Sequence, residues 1–592
     1  MYVRKVQVKN KNGSVSRYVQ LAHNFRDPVS GKSRAKVLYS FGREEDVDQG
    51  TLRRLVSSIE RFLSPEESLK LQADRSAPEA ALTFKDSRPL GGAWVLQSLW
   101  KEIGIDKVIQ KQLRERSFEM PVERAIFSMV ANRALDPGSK RAVEDWVAND
   151  VYLPGVHGLQ LQHLYRSLDA LLAMENDLQK EVFFAVSDLL NLEVDLLFFD
   201  TTSTYFEIEG EDKPPARESE DGGEDSEAAP AQVDEDPEDE AYFLRRKGHS
   251  KDRRPDLAQV VIGLAVTREG IPIRVWTWPG NTADVSRVKQ VKKDLIGWKL
   301  GRVITVLDRG FMSESNLREL QKTGGHFIIG EKMRAGKDMV EEALAKAGRF
   351  QTVTHNVEVK EIIVGDGEAR KRFVLVRNPQ QQKKDQKQRE ETVDRIKAEL
   401  KAIEQLDKSQ HAKAVCRLIS HQTLGRFLKR DKKGWPVLDK AKLAADKRLD
   451  GKYLLLTSDD TLPTADVALG YKQLLEVEDA FRTLKQTLEL RPVHHRLSRR
   501  IKAHVLLCWL ALLLIRVAEV RAEQATKETY TWARMRIELD RIHLGHFASD
   551  AGDVYQRTEL RATHERLLEA IKVEQPPQFI QISPSLADST LA

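Results

Sequence analysis

The sequence predicts a soluble α/β protein whose core follows a small β module and a helical domain. From residue 194 to residue 330, short apolar runs alternate with amphipathic stretches, as in an α/β fold. Strand-like runs separated by turn residues fill the first 45 residues, and the pattern between about 90 and 190 is mostly helical. With 592 residues, the chain is long enough for three or four domains, each with its own core.

The N-terminal third divides into two expected domains. Residues 1–90 form the β module, with strand-like runs YVRKVQV, SRYVQLAHNF and SRAKVLYSFG and a helical stretch at 51–70. Residues 91–190 form the helical domain, in which two helices are broken at Asp136-Pro137-Gly138 and Ser139 is a candidate N-cap. A helix-turn-helix that binds DNA is one interpretation, but two helices joined by a short turn are common in any α domain.

The predicted core covers residues 191–330 and 456–525. Its strands are Val194 to Phe199, the hairpin LAQVVIGLAV and IPIRVWTW, then VITVL and HFIIG, with helices near 284–296 and after Ser313. Residues 331–455 form an insertion with strands FQTVTHNVEVKEIIV and RKRFVLVRN and a charged helix at about 385–407. Residues 526–592 are expected to form a helical tail. Phe350, Trp435 and Tyr453 are candidates for stacking on an unpaired base, although core packing is the commoner role of such residues.

Three acidic residues have contexts that indicate chemistry. Asp200 and Asp308 each end an apolar strand-like run, so we expect their carboxylates at the carboxyl ends of buried strands, facing one cleft. Tyr471, Glu478 and Lys485 are seven residues apart and would line one face of a single helix. Three converging carboxylates are hard oxygen ligands that suit Mg²⁺, for which phosphoryl transfer on nucleic acid is the natural chemistry. Alone, either aspartate could equally be a turn residue or a helix N-cap.

Charge is unevenly distributed along the chain. Residues 207–240 contain 16 acidic residues and only Lys213 and Arg217 as bases; the rest of the chain has 93 bases and 74 acids, a net charge of +19. A polyanion is therefore an expected partner. The acidic tract has too few apolar residues for a packed core, so we expect a disordered loop. A more specific hypothesis is that it competes with DNA for a basic channel.

Cysteine content and hydropathy indicate a cytoplasmic protein. The two cysteines, Cys416 and Cys508, form no metal-binding or disulfide pattern, and the start of the chain lacks an apolar core of signal-peptide length. The longest apolar run, Val505 to Ile515, is too short to cross a bilayer and is typical of a buried helix. His494 and His495 resemble a metal pair, but adjacent residues on a helix point about 100° apart, which favours packing or DNA contact.

Around these acids, the sequence resembles the DDE transposases of bacterial insertion sequences, in the branch with the signature Y-(2)-R-(3)-E-(6)-K. Tyr471, Glu478 and Lys485 reproduce the spacing, and Leu474 replaces the arginine, which puts one phosphate contact in doubt. DTT after Phe199, DRGF after Leu307, GHSKDRRPDLAQVVIGLAV, PGNT and RPVHHRLSRRIKAHVLLCWLAL extend the likeness over roughly 190–330 and 460–520.

The resemblance implies an RNase H-like core with a mainly β insertion over the cleft. It implies that Asp200, Asp308 and Glu478 are catalytic metal ligands for Mg²⁺, with Mn²⁺ able to substitute. Residues expected to contact DNA are Tyr471, Arg309, Arg482 and Lys485. The implied partners are double-stranded transposon ends and target DNA, bound by a dimer that pairs two ends. Two other functions stay open: a catalytically silent regulator, whose expected mark is a broken triad, and a nuclease that does not join strands.

Overall fold

The computed structural model describes most of the chain in two compact units. The described residues are 2–9, 15–26, 33–44, 47, 50, 83–114, 120–156, 158–192, 194–207, 210–212, 243–298, 300, 303–334, 338–367, 370–549 and 552–584. One unit comprises Met1–Asp86, Gly545–Gln556 and Phe579–Ala592; the other comprises Ser87–Leu544 and Arg557–Gln578. The helix expected at 51–70 and nearly all of the acidic tract at 207–240 lie outside the described residues.

Eighteen strands and seventeen α-helices are assigned within this described part. The strands are β1 Tyr2–Lys9, β2 Val15–Arg26, β3 Ser33–Arg43, β4 Thr83–Pro89, β5 Leu196–Tyr205, β6 Gln259–Val266, β7 Pro272–Pro279, β8 Ile304–Leu307, β9 His326–Glu331, β10 Gln351–Thr354, β11 Val357–Val364, β12 Lys371–Arg377, β13 Leu428–Arg430, β14 Pro436–Leu438, β15 Lys452–Thr457, β16 His543–Ser549, β17 Gly552–Arg557 and β18 Phe579–Pro584. The helices are α1 Gly91–Ile103, α2 Ile105–Leu113, α3 Val122–Leu135, α4 Lys140–Asn149, α5 Leu161–Ala173, α6 Glu175–Leu190, α7 Val288–Ile296, α8 Glu314–Gln321, α9 Asp338–Ala345, α10 Pro379–Glu404, α11 Lys408–Ser420, α12 Lys440–Lys447, α13 Thr464–Lys472, α14 Leu475–Arg482, α15 Ser498–Thr526, α16 Trp532–Leu539 and α17 Ala562–Ala570.

The N-terminal strands form an antiparallel sheet in the order β1-β2-β3. A second small sheet has the order β18-β17-β16-β4, so strands near both ends of the chain belong to it. The expectation of a helical tail over 526–592 is therefore wrong, because three of the five elements there are strands. Their runs HLGHFAS and GDVYQR are short and mostly polar, and they lack the apolar alternation that marks a strand in sequence.

The helical domain contains the two helices expected around Asp136-Pro137-Gly138. Helix α3 ends at Leu135, and the Ser139 side chain accepts a hydrogen bond from the Ala142 amide at 3.2 Å, which confirms the N-cap of α4. Helix α3 is buried along almost its whole length. It packs against α5 and the long helix α15.

The central sheet has nine strands in the order β10-β11-β12-β15-β9-β8-β5-β6-β7. Strand β5 pairs in parallel with β8, and β8 pairs in parallel with β9, whereas β6 and β7 form the expected antiparallel hairpin beside β5. Helices α7 and α8 follow β7 and β8, as the sequence predicts. Large side chains, among them Phe199, Trp276, Trp278 and Phe311, form the core on one face of the sheet.

The insertion differs from its expected mainly β composition. Its strands β10, β11, β12 and β15 continue the central sheet beyond β9, so they extend the core. The remaining part, from α10 to α12, consists of three helices and the short hairpin β13–β14. Its own apolar core contains Ile396, Ile403, Val415, Leu418, Leu424, Phe427 and Leu428, the first two of which lie on the charged helix α10.

Helix α15 is the longest helix described and contains the apolar run Val505 to Ile515. It packs against α3, α5, α17 and strand β7. Among the described helices, it alone is long and apolar enough to cross a bilayer, yet its most apolar window is 94% buried inside the protein. This confirms that the run belongs to a core helix.

Candidate functional site

Asp200 and Asp308 lie side by side at two neighbouring inner strands of the nine-stranded sheet, β5 and β8. The parallel register pairs Phe199 with Leu307, and the residue that follows each of them is the aspartate. Strand β8 ends there, with Asp308 extended before a short 3₁₀ turn. Strand β5 continues to Tyr205, so the expectation that Asp200 ends its strand is wrong. The run Thr201 to Thr204, which contains three β-branched threonines, stays paired with β6.

The environment of Asp200 favours a bound cation. Burial raises the pKa of Asp200 to about 6; the nearby ammonium of Lys251 opposes this shift, while the negative charges of Asp284 and Asp308 add to it. The Lys251 Nζ atom lies 3.7 Å from Asp200 Oδ1. One ammonium thus faces three carboxylates, which leaves excess negative charge at this point of the sheet.

Asp284 is a residue of this site that the sequence reasoning missed. Its Oδ1 atom accepts a hydrogen bond from the Thr201 hydroxyl at 2.6 Å, and its Oδ2 atom lies 3.3 Å from Lys251 Nζ. Lys251 also donates to the Thr201 hydroxyl at 2.8 Å and to the Thr201 carbonyl. The signal was present in the sequence, because Asp284 follows PGNT by one residue and Lys251 belongs to GHSKD.

Close backbone packing brings these two motifs together. A Cβ atom on Gly280 would lie 2.1 Å from the carbonyl oxygens of Arg246 and Gln259, and one on Gly248 would lie 2.0 Å from the carbonyl oxygen of Gly280. Only glycine fits at such distances. The two glycines therefore let the segment before Lys251 lie against the segment before Asp284.

Tyr471 contacts the second aspartate directly. Its hydroxyl donates to Asp308 Oδ1 at 3.1 Å, and burial, with Asp308 adding to the effect, raises the pKa of Tyr471. A cavity of about 650 Å³ opens beside this pair. It is lined by Asp308, Arg309, Gly330, Glu331, Lys332, Met333, Arg334, Lys452, Tyr453, Leu454 and Tyr471. Two tyrosines and several bases thus surround a space next to a carboxylate.

The segment from Tyr471 to Lys485 is not the single helix that the sequence spacing predicts. Helix α13 ends at Lys472, and the amides of Leu474 and Glu476 bond to the carbonyls of Tyr471 and Gln473, three residues earlier. Helix α14 ends at Arg482 and is followed by a π turn, Thr483–Thr487. The expectation of one continuous helix through Tyr471, Glu478 and Lys485 is therefore wrong.

Glu478 lies on the exposed face of α14, whereas Val477, Ala480 and Phe481 are buried. The helix packs on β5 and β6, the strands around Asp200. Within the described residues, no three His, Cys, Asp or Glu side chains form a group that could hold a metal ion. The structure thus brings Asp200 and Asp308 together, but it does not add Glu478 to them. Leu474, at the signature arginine position, is buried at the joint between the helices.

The two expected basic contacts on this segment differ in their surroundings. Lys485 Nζ donates to Asp252 Oδ1 at 2.9 Å, and Arg491 NH1 lies 3.2 Å from Asp252 Oδ2. Burial lowers the pKa of Lys485, and Asp252 partly offsets this. Arg482 is exposed and pairs with Asp479 on its own helix at 2.7 Å. Arg309, next to Asp308, is exposed at the cavity.

His495 is part of a buried cluster and not of a metal pair. Its ring centroid lies 5.6 Å from that of His504, and burial lowers the pKa of His495 to about 3. Both cysteines are free, Cys416 exposed and Cys508 buried. Of the candidate stacking residues, Phe350 packs against the core of the central sheet and Trp435 against the core of the insertion, whereas Tyr453 lines the cavity beside Asp308.

The donor set at Asp200 and Asp308 fits a hard divalent cation. Two carboxylates lie at adjacent register positions and the net charge there is negative, as Mg²⁺ or Mn²⁺ requires. The groups that shift the pKa of Asp200 include neither cysteine. The surroundings of Asp200 therefore do not favour a metal ion that prefers sulfur ligands.

Two family models match the sequence. The N-terminal domain of IS1634 family transposases matches residues 3–70, and the transposase DDE domain matches residues 236–514. No curated protein matches the chain. A solved structure, the piggyBac transposase synaptic complex with hairpin DNA, aligns with 77% of this chain and 82% of its own, at 11% identity and a TM-score of 0.32. A likeness at that level carries no argument about this chain.

Proposed function

Because the chain is a DDE transposase of a bacterial insertion sequence, we propose that it cleaves the ends of such an element and joins them to target DNA at the site around Asp200 and Asp308. The observation that carries this proposal is the register of β5 and β8, which makes the two carboxylates neighbours. The order β7-β6-β5-β8-β9, a hairpin on one side of β5 and parallel strands on the other, supports an RNase H-like core.

In the proposed reaction, Asp200 and Asp308 hold the divalent cation, Mg²⁺ or Mn²⁺. Such a cation would lower the pKa of a water molecule or a DNA 3′-hydroxyl and stabilise the leaving oxygen. Tyr471 fixes the orientation of the Asp308 carboxylate through its hydrogen bond. Thr201, Lys251 and Asp284 form a hydrogen-bonded and ion-paired group immediately beside Asp200. The chain's own residues therefore pre-organise the acids before DNA arrives.

We propose Glu478 as the third carboxylate of the reaction. Its support is the sequence spacing and its position on α14, which packs against the two strands next to Asp200. Glu478 is exposed on this short helix, which lies between a tight joint and a π turn. Arg309, Arg482 and Lys485 are the proposed contacts to the DNA backbone, and Tyr453 in the cavity is the remaining candidate for stacking on a base.

The proposed partner is double-stranded DNA, held as two paired ends by a dimer in the bacterial cytoplasm. A joining assay tests the function: a labelled duplex carrying the terminal sequence of the element is incubated with a supercoiled plasmid and Mg²⁺. We expect cleaved ends and end–plasmid products. Cleavage without joined products would identify a nuclease, and end binding without cleavage would identify a silent regulator.

A further inference from the structure

Asp252 holds two cations that belong to a different part of the chain. Its carboxylate accepts a hydrogen bond from Lys485 at 2.9 Å and lies 3.2 Å from the Arg491 guanidinium. Lys485 ends the signature segment and Arg491 follows it, whereas Asp252 belongs to the loop between β5 and β6. One negative charge therefore faces two positive charges.

The contact is partly enclosed, which distinguishes it from an ordinary surface ion pair. The side chains of Asp252 and Lys485 are each 15% exposed, and that of Arg491 is 29% exposed. Asp252 Oδ2 is buried and has no hydrogen bond, only the ion pair with Arg491. Partly enclosed cations without full neutralisation favour an additional or stronger anion.

The position of the group relative to Asp200 suits a nucleic-acid backbone. The Arg491 guanidinium lies 4.8 Å from the ring centroid of Tyr205, the last residue of β5. Tyr205 is five residues further along β5 than Asp200, a distance of roughly 16 Å at about 3.3 Å per residue. Since duplex DNA rises about 3.4 Å per base pair, this spans roughly five base pairs.

We propose that Lys485 and Arg491 form a two-pronged site for a DNA backbone phosphate, and that Asp252 occupies the phosphate position in the free protein. Exchange of a carboxylate for a phosphodiester keeps both cations paired, and an arginine beside a lysine matches the phosphate oxygens. The inference rests on the proposed function for its ligand and adds Arg491 and Asp252 to the residues that act on DNA.

The test is the salt dependence of DNA binding by Asp252→Asn. Binding of a fluorescent duplex of unrelated sequence is measured by anisotropy over a range of NaCl concentrations, without a divalent cation. Asp252→Asn removes the internal competitor but leaves the number of phosphate contacts unchanged, so we expect binding about three- to tenfold tighter with the salt slope of the wild type. The gain should disappear in the double variant Asp252→Asn with Arg491→Gln.

Asp195→Asn is the matched control. It removes one carboxylate that pairs with an arginine, Arg268 at 2.6 Å, immediately before β5 and so at the end of that strand opposite Tyr205. A gain of equal size in this control, or unchanged or weaker binding by Asp252→Asn, would overturn the proposal. If Asp252→Asn does not fold, Arg491→Gln alone decides: a slope reduced by about one unit supports the site, and an unchanged slope overturns it. The binding assay contains no divalent cation and measures no reaction. Its result therefore stands even if the protein does not cleave or join DNA strands.

Discussion

Asp200 and Asp308 are distinguished from other acidic residues of the chain by strand register and charge. They follow paired residues of two parallel strands, so no side-chain rearrangement is needed to make them neighbours. The raised pKa of Asp200 results from burial and from the negative charges next to it. The repulsion between these carboxylates is unfavourable, and a bound cation would compensate it.

We therefore expect Asp200→Asn and Asp308→Asn each to abolish strand cleavage while leaving binding to the DNA ends largely intact. Each substitution keeps the size of the side chain and removes a metal-binding charge. Gel assays of cleavage and of end binding, run on the same preparations, measure the two effects. Glu478→Gln belongs in the same series: near-wild-type cleavage by this variant would remove Glu478 from the proposed set.

Substitution of Tyr471 tests the contribution of its single hydrogen bond to Asp308. Tyr471→Phe removes only the hydroxyl that donates to Asp308, and the loss of one such hydrogen bond corresponds to about 1 kcal/mol. We expect the cleavage rate of saturated enzyme to fall about fivefold, with little change in DNA affinity. The matched control is Tyr453→Phe, since the two rings lie 5.7 Å apart in the same cavity wall. Equal losses in both variants would contradict an effect through Asp308.

Element by element, apolar periodicity was sufficient to predict β5 to β9, the helices between them and the core helix α15. The apolar side chains of these elements are buried, and apolar periodicity in a sequence indicates which side chains are buried. The joint at Gln473–Leu474 could not be predicted, because a spacing of seven residues is the same whether or not a helix is continuous. The pairing of β16 with β4 joins residues more than 450 positions apart, and neither run has a distinctive pattern.

The residues of the candidate site also differ in whether the sequence could predict them. Asp200 and Asp308 could be predicted because each follows an apolar run. Asp284 follows no apolar run: it precedes a helix in a polar context and reaches the site through the glycine packing of two loops, so only the neighbouring PGNT motif could have indicated it. Lys251 and Asp252 lie in a loop whose position depends on the same packing. Residues brought together by loops leave no periodic signal in the sequence.

Helix α4 carries a buried lysine that governs a testable pH effect. Burial lowers the pKa of Lys140 from 10.5 to about 7, with Arg133 adding to the shift, while Cys508 opposes it. His495 and His504 lie close enough to add positive charge when protonated. Between pH 7 and pH 10.5, the unfolded chain binds a proton that the folded protein has released. The free energy of unfolding therefore rises with pH across this window. Below pH 7, the folded protein carries the full energetic cost of burying the charged Lys140 side chain.

We expect Lys140→Met to stabilise the protein at pH 7 by on the order of a few kcal/mol, because it removes the cost of a buried ammonium. The advantage over wild type should shrink as pH approaches 10. Thermal unfolding at several pH values measures both effects. Arg141→Met, at the next position and exposed, is the control and should show no such pH dependence. A constant difference across the range would contradict the assignment to Lys140.

For the whole molecule, the proposed dimer on paired ends predicts a particular response to inactive subunits. Asp308→Asn protein is mixed with wild type in increasing proportion, and cleavage of paired ends is measured. A complex that needs two competent subunits loses activity roughly as the square of the wild-type fraction, whereas a monomer loses it linearly. A linear decline, with lone ends cleaved at the full rate, would contradict the proposed dimer.

The adjacency of Lys251 and Asp252 has a thermodynamic consequence. One residue contacts Thr201 beside the acids, and its neighbour holds the cations of the proposed phosphate site. Two ligands that each act on one short peptide segment have linked affinities, and such linkage is reciprocal. By whatever factor bound DNA changes the affinity for the divalent cation, the cation must change the affinity for DNA. The Lys251–Asp252 segment thus couples the two binding equilibria equally in both directions.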